Sequence, residues 1–173
     1  MFYQRFYIEQ HLQRFIRPKR PDLEKPLRDA FDELLESGKP LSETSLIAVV
    51  DAASDRYASV YELGATFLGE SAILDNRALQ MIQEMALSKH AHVHHNALLC
   101  LTEKTQEQVC LGMIRDGLKD KSSRVRTKAA DWAHRLRLRG VVQDIAKVLK
   151  TETHNEAAQT MRAAIEVLQA EEN

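Results

Sequence analysis

Small and apolar side chains recur along this chain at helical spacing, and the spacing itself returns every 32 or 33 residues. In residues 123–136, SRVRTKAADWAHRL, Val125, Ala129, Trp132 and Ala133 stand at i, i+4, i+7 and i+8, one face of an α-helix. A shift back by 32 lands on Val93, Ala97, Cys100 and Leu101, and a further 33 on Val60, Gly64, Phe67 and Leu68. A shift forward by 32 lands on Ala157, Met161, Ala164 and Ile165. A partner helix is predicted ahead of each copy, on Ser45, Ala48, Val49 and Ala52, then Ala78, Met81, Ile82 and Met85. The next two copies are Cys110, Met113, Ile114 and Gly117, and Val142, Ile145, Ala146 and Leu149. The predicted unit is two antiparallel helices joined by a short turn, repeated four times over residues 43–169. No pair buries its own face, so neighbours must stack, which predicts a right-handed α-solenoid. The small residues let helices approach closely, with Trp132 and Phe67 filling gaps beside them.

A fifth column supports the register. Asp55, Ser88, Asp120 and Glu152 stand five residues before the first apolar position of each second helix. Side chains of this kind accept hydrogen bonds from free N–H groups at a helix start and complement its positive end.

Ahead of the array, residues 1–40 form a separate N-terminal helical cap, with the array occupying 41–173. The stretch 2–17 predicts one helix with Phe2, Phe6, Ile8, Leu12, Phe15 and Ile16 on its apolar face, broken by Arg17-Pro-Lys-Arg-Pro21. Asp22 is the predicted N-cap of a second helix ending before Gly38-Lys39-Pro40, with Leu27, Ala30, Phe31, Leu34 and Leu35 inward. Ser42 begins the repeats. The first helix suits a cap over the end of the array; a dimerisation surface or an interfacial membrane helix are the alternatives, argued by Phe2, Tyr3, Phe6 and Tyr7.

Composition fits the all-α reading. Ala, Leu, Glu, Gln and Arg are abundant, while glycines number six and prolines four among 173 residues. Two cysteines, Cys100 and Cys110, lack metal-site spacing and suit small buried hydrophobes of a reducing compartment. Arg5 and Glu9 interrupt any signal-like apolar run, and no run reaches membrane-spanning length, so a cytoplasmic place is expected. Net charge is −1, yet residues 113–150 hold eleven Lys and Arg against four acids.

The segment Asp120-Lys-Ser-Ser-Arg-Val-Arg-Thr-Lys-Ala-Ala resembles the second-helix signature of HEAT-like repeats: an acid in the turn, then Val-Arg, then Ala-Ala. The short period is similar to the compact bacterial members of that family. By periodicity the resemblance covers about three quarters of the chain, with His94 and Ala158 replacing the signature arginine, Arg126, in other copies. The thin signatures of ankyrin and tetratricopeptide arrays are missing. At the signature position Arg126 is expected to pair with Asp120.

The resemblance implies several candidate chemistries. HEAT-like di-iron hydroxylases use His-Glu dipeptides as ligands, and this chain has none, so KHAHVHHN (His90, His92, His94, His95) is read as a polar turn without metal. HEAT-like DNA glycosylases hold phosphates on a basic face. Here no aromatic ladder interleaves the positives of 115–150, and Asp131, Trp132 and Arg135 are read as packing and surface, which leaves nucleic-acid binding as the runner-up. HEAT-like bilin lyases suggest an accessory role, with no residue here to mark it. No nucleophile, P-loop or dinucleotide motif is present, and neither catalytic residues nor cofactors are assigned. The expected function is a non-enzymatic scaffold that binds a protein partner through the outward side chains of the stacked second helices: His95, Arg124, Lys128, Asp131 and Arg135.

Overall fold

The computed structural model describes residues 5–37 and 39–170, and among them ten α-helices and no strand. The fold is all-α. The chain divides into two compact units, Met1–Met85 and Ala86–Asn173.

The first unit opens with α1 (Arg5–His11), which runs into a π-helical turn at Leu12–Ile16. The Arg17 N–H donates to Leu12 O, an i→i+5 bond, at 2.8 Å. Leu12 already shares the side of Ile8 four residues earlier, and the wider turn brings Ile16 back to that side and swings Phe15 away. Hence Ile8, Leu12 and Ile16 are buried and Phe15 is 49% exposed, while Phe6, two residues before Ile8 and so opposite it on α1, is 64% exposed. The expected single aromatic face is thereby corrected; Phe2 and Tyr3 lie outside the described residues.

Helix α2 (Pro21–Ser37) starts with proline at its first position, where no N–H is needed. Asp22 is inside the first turn rather than the cap, and its carboxylate takes Arg20 at 2.7 Å. Leu23, Leu27, Ala30 and Phe31 are buried, Leu34 is half-buried and Leu35 is exposed. Phe31 stacks on Phe67 of α4 (Ala58–Ser71), with centroids 5.9 Å apart. Ser42 caps α3 (Glu43–Ala53) by accepting from the Ser45 N–H, and Glu33 of α2 accepts from Ser42 and Ser45 in turn. Although burial pushes the Glu33 carboxyl up, these hydrogen bonds hold it below its ordinary value. Helix α5 (Asn76–Ala86) buries Ala78, Ile82 and Met85.

The second unit comprises α6 (Ala91–Leu99), α7 (Glu107–Leu118), α8 (Ser123–Arg135), α9 (Val142–Leu149) and α10 (Asn155–Ala170). Helix α8 packs on α7, on α6 and on α10, and α9 packs on α10. Every member of the four second-helix columns is buried except Val93, Trp132 and Ile165, which are partly exposed.

All four side chains of the fifth column accept a backbone N–H two residues on: Tyr57 to Asp55 (2.8 Å), His90 to Ser88 (3.2 Å), Ser122 to Asp120 (2.6 Å) and His154 to Glu152 (2.8 Å). Those four acceptors therefore tie down the residue just before each second helix, not the helix's own first turn. This is the local turn that short polar side chains make with their own backbone.

Close approach within hairpins rests on glycine. A Cβ on Gly64 would stand 2.3 Å from Ala53 N and 2.6 Å from Ala52 C, so α3 and α4 touch backbone to backbone there. A Cβ on Gly117 would meet Ala129 Cβ at 2.9 Å, at the crossing of α7 and α8. Ala52 and Gly117 share one repeat column, and Gly64 and Ala129 share another, so the same two positions form the seam in both hairpins.

Gly64→Ala is expected to cost about 2–3 kcal/mol through overpacking. Gly112→Ala, at an exposed position inside α7 with nothing within 4 Å, is expected to stabilise by about 0.5–1 kcal/mol. Urea unfolding of both variants beside the parent measures the contrast.

Candidate functional site

The turn acids do more than hold backbone. Asp55 accepts Arg20 Nη1 at 2.6 Å, Asp120 accepts the His94 Nδ1–H at 2.8 Å, and Glu152 accepts Arg126 Nη2 at 2.8 Å. One carboxylate thus binds the start of its own second helix and a basic side chain from an earlier element. His94 and Arg126 are 32 residues apart, as are Asp120 and Glu152, so this contact repeats with the sequence period. Arg126 meets Asp120 only through that residue's carbonyl, at 2.9 Å, which corrects the expected Arg126–Asp120 ion pair. The next turn supplies a carboxylate whose geometry suits the guanidinium fork, and a side chain already holding His94 does not. Arg126 is raised above its ordinary value, first by its hydrogen bond to Glu152. Glu152 is lowered to about 2, first by that same bond and against the opposing effect of burial.

Arg124, Lys128, Asp131 and Arg135 lie on one side of α8, at spacings of four, three and four. Asp131 accepts from Lys128 Nζ at 3.2 Å and from Arg135 Nε at 3.0 Å. Between those two cations lies the Trp132 ring, with Lys128 Nζ 5.8 Å and Arg135 Cζ 5.0 Å from its centroid. Trp132 was expected to fill the core column held elsewhere by Phe67, Cys100 and Ala164. The indole is instead partly exposed, beneath a cationic cover formed by Lys128 and Arg135. Its Nε1 is enclosed and, among the described residues, meets no acceptor.

His95 also departs from expectation. It is buried, 5% exposed, with Nδ1–H donating to Asn96 Oδ1 at 3.1 Å. Burial lowers the His95 imidazole below its ordinary value, the Asn96 hydrogen bond opposes this, and Arg124 and Lys128 lower it further. The residue therefore lies in a positive field. It forms the inner wall of a cavity of about 420 Å³ whose rim holds Ser123, Arg124, Thr127, Lys128 and His154. Glu156 is the one acid there. So the structure brings His95, Arg124 and Lys128 together at one cavity, with Asp131 and Arg135 further along α8. His154, Ser123 and Thr127 were missed, although a 32-residue shift places Ser122 and His154 in equivalent turns.

The remaining histidines do not gather. His90 is exposed, His92 is half-buried 5.7 Å from it between ring centroids, and His94 turns away to Asp120. Among the described residues no three His, Cys, Asp or Glu side chains form a metal-holding group. Burial raises the Cys100 thiol and pushes Cys110 up to about 11, so neither forms a thiolate near neutral pH. Much of the basic block is engaged locally: Arg115 with Asp144, Lys119 with Asp116, Arg126 with Glu152. A cavity of about 590 Å³ elsewhere in this unit sets Glu103 and Glu107 against Arg135 and Arg137, and so carries no field of one sign. No described helix is long and apolar enough to cross a membrane.

Compared with models of protein families, with curated proteins and with solved structures, the chain matches none.

Because Glu152 is depressed in the folded state, its contribution to stability is complete above about pH 4.3 and is lost as pH falls towards its folded value. Arg126→Met is expected to lower stability near neutral pH by about 2–3 kcal/mol and to flatten the acid limb of the stability curve. Denaturant titrations across the acid range measure both effects.

Proposed function

We propose that this chain is a HEAT-like repeat protein, an α-solenoid of four helical hairpins behind an N-terminal helical cap. We read it as a scaffold without catalytic activity that binds a protein partner through the outward side of its second helices. Two findings support the repeat reading: the turn-acid contact recurs with the 32-residue period, and the same two columns form the seam of two hairpins. Binding is argued from the row Arg124, Lys128, Asp131 and Arg135, which a rigid helix holds in fixed order around a half-buried Trp. Trp and Arg are the residue types that anchor protein interfaces. A face of this kind works by presentation: the helices pack first, and their remaining side chains meet the partner with little ordering cost.

Nucleic acid is the competing class. Against it stand Asp131 and Glu156, both placed among the cations, and a Trp ring covered by Lys128 and Arg135 rather than open to a base.

Affinity capture from native lysate, comparing the parent with Arg124→Glu/Lys128→Glu, is expected to show a partner lost by about tenfold or more, with circular dichroism and thermal midpoint unchanged. Equal capture by both proteins would remove this face from the function. A steep salt dependence of binding to random duplex DNA would replace the protein partner with nucleic acid.

A further inference from the structure

The cavity beside α8 narrows the kind of partner. It draws side chains from three elements: His95 from α6; Ser123, Arg124, Thr127 and Lys128 from α8; His154 and Glu156 at the start of α10. Arg124 and Lys128 supply permanent positive charge. His95 supplies charge that depends on pH, His154 adds ring nitrogens, and Ser123 and Thr127 add hydroxyls. The cavity's volume of about 420 Å³ suits a side chain and is too small for a folded element. Among the lining residues Glu156 leaves the permanent charges net positive by one, and Asp131 just outside also neighbours Lys128. The positive field is thus a weak one, which matches a single carboxylate better than the dense charge of a nucleic-acid backbone. Along α8 the sequence of charge is then plus, plus, minus, plus, from Arg124 to Arg135. An extended segment with one acid in the cavity and another beside Arg135 complements that row.

We infer that the cavity lined by His95, Arg124, Lys128 and His154 receives an aspartate or glutamate side chain from an acidic segment of the protein partner, and that protonation of His95 strengthens this contact. The inference rests on the protein-binding reading above and specifies its chemistry. The coupling follows from what faces His95: Asn96 on its own helix, Arg124 and Lys128 from α8, His154 and Glu156 from the α10 side. An incoming carboxylate offsets the two permanent cations and lowers the cost of a proton on His95. By reciprocity, that proton favours the carboxylate.

The test uses the full chain and a fluorescein-labelled octaglutamate peptide at low salt. Arg124→Glu is expected to weaken binding by about tenfold or more, while Lys147→Glu, the same charge change on α9 outside the cavity, weakens it by less than about twofold. Octaglutamate is expected to bind about fivefold more tightly near pH 5.5 than near pH 7.5, and His95→Gln is expected to abolish that gain while retaining binding. Absence of octaglutamate binding, or equal loss in the Arg124 and Lys147 variants, overturns the site. A pH gain that survives in His95→Gln overturns the coupling. Random duplex DNA bound more tightly than the peptide, with the same dependence on Arg124, assigns the face to nucleic acid and overturns the inference. If partner capture depends on Arg124 and Lys128 while octaglutamate does not bind, this inference fails and the scaffold reading survives; capture indifferent to both residues removes the scaffold reading itself.

Discussion

A carboxylate in the turn before a second helix carries much of this architecture. Each such acid has two lone-pair-rich oxygens and two separate demands on them. One oxygen accepts the N–H that opens its own helix; the carboxylate also accepts a basic side chain from an earlier element. Asp55, Asp120 and Glu152 all work this way, with Arg20, His94 and Arg126 as their respective partners. The arrangement ties local geometry to longer-range packing, because a turn that loses its shape also releases its partner. Glu152 is 1% exposed in its side chain, so the charge there depends on Arg126 for compensation.

Around that contact the apolar seams set distance. Gly64 and Gly117 remove one Cβ from each crossing, and the alanines that face them complete surfaces flat enough for close approach. With the backbone positions fixed, the outward sides of α8 are fixed too. The row of charges around Trp132 is therefore a product of core packing as much as of surface composition. The indole is partly exposed where Phe67 in the same column is fully buried, and Lys128 and Arg135 lie over its ring.

The all-α class and the helix columns were legible because apolar spacing is a local property that buried faces share along the chain. Ser42, the turn acids and the small-residue seam were visible for the same reason. Less visible was anything decided by a partner far along the chain. Arg126 looked towards Asp120, six residues away, because proximity in sequence is the only proximity a sequence displays; Glu152, 26 residues on, had the better geometry. The π-helical turn at Leu12–Ile16 brought Ile16 onto the buried side and swung Phe15 off it, whereas Phe6, two residues before Ile8, faces away from the core in an ordinary helix as well. Of the five site residues, the four on α8 shared a face by simple spacing. His95, expected among the outward side chains of the second helices, is buried on α6, which packs against α8.

The two seams also differ in whether a second change can repair a first. At Gly117 the obstacle to a larger residue is a side-chain atom, Ala129 Cβ, so trimming residue 129 would return the lost space. At Gly64 the obstacles are main-chain atoms of residues 52 and 53, which no exchange of side chains can move aside. Among diverging sequences the first pair is free to trade its glycine from one helix to the other, and the second has no such freedom.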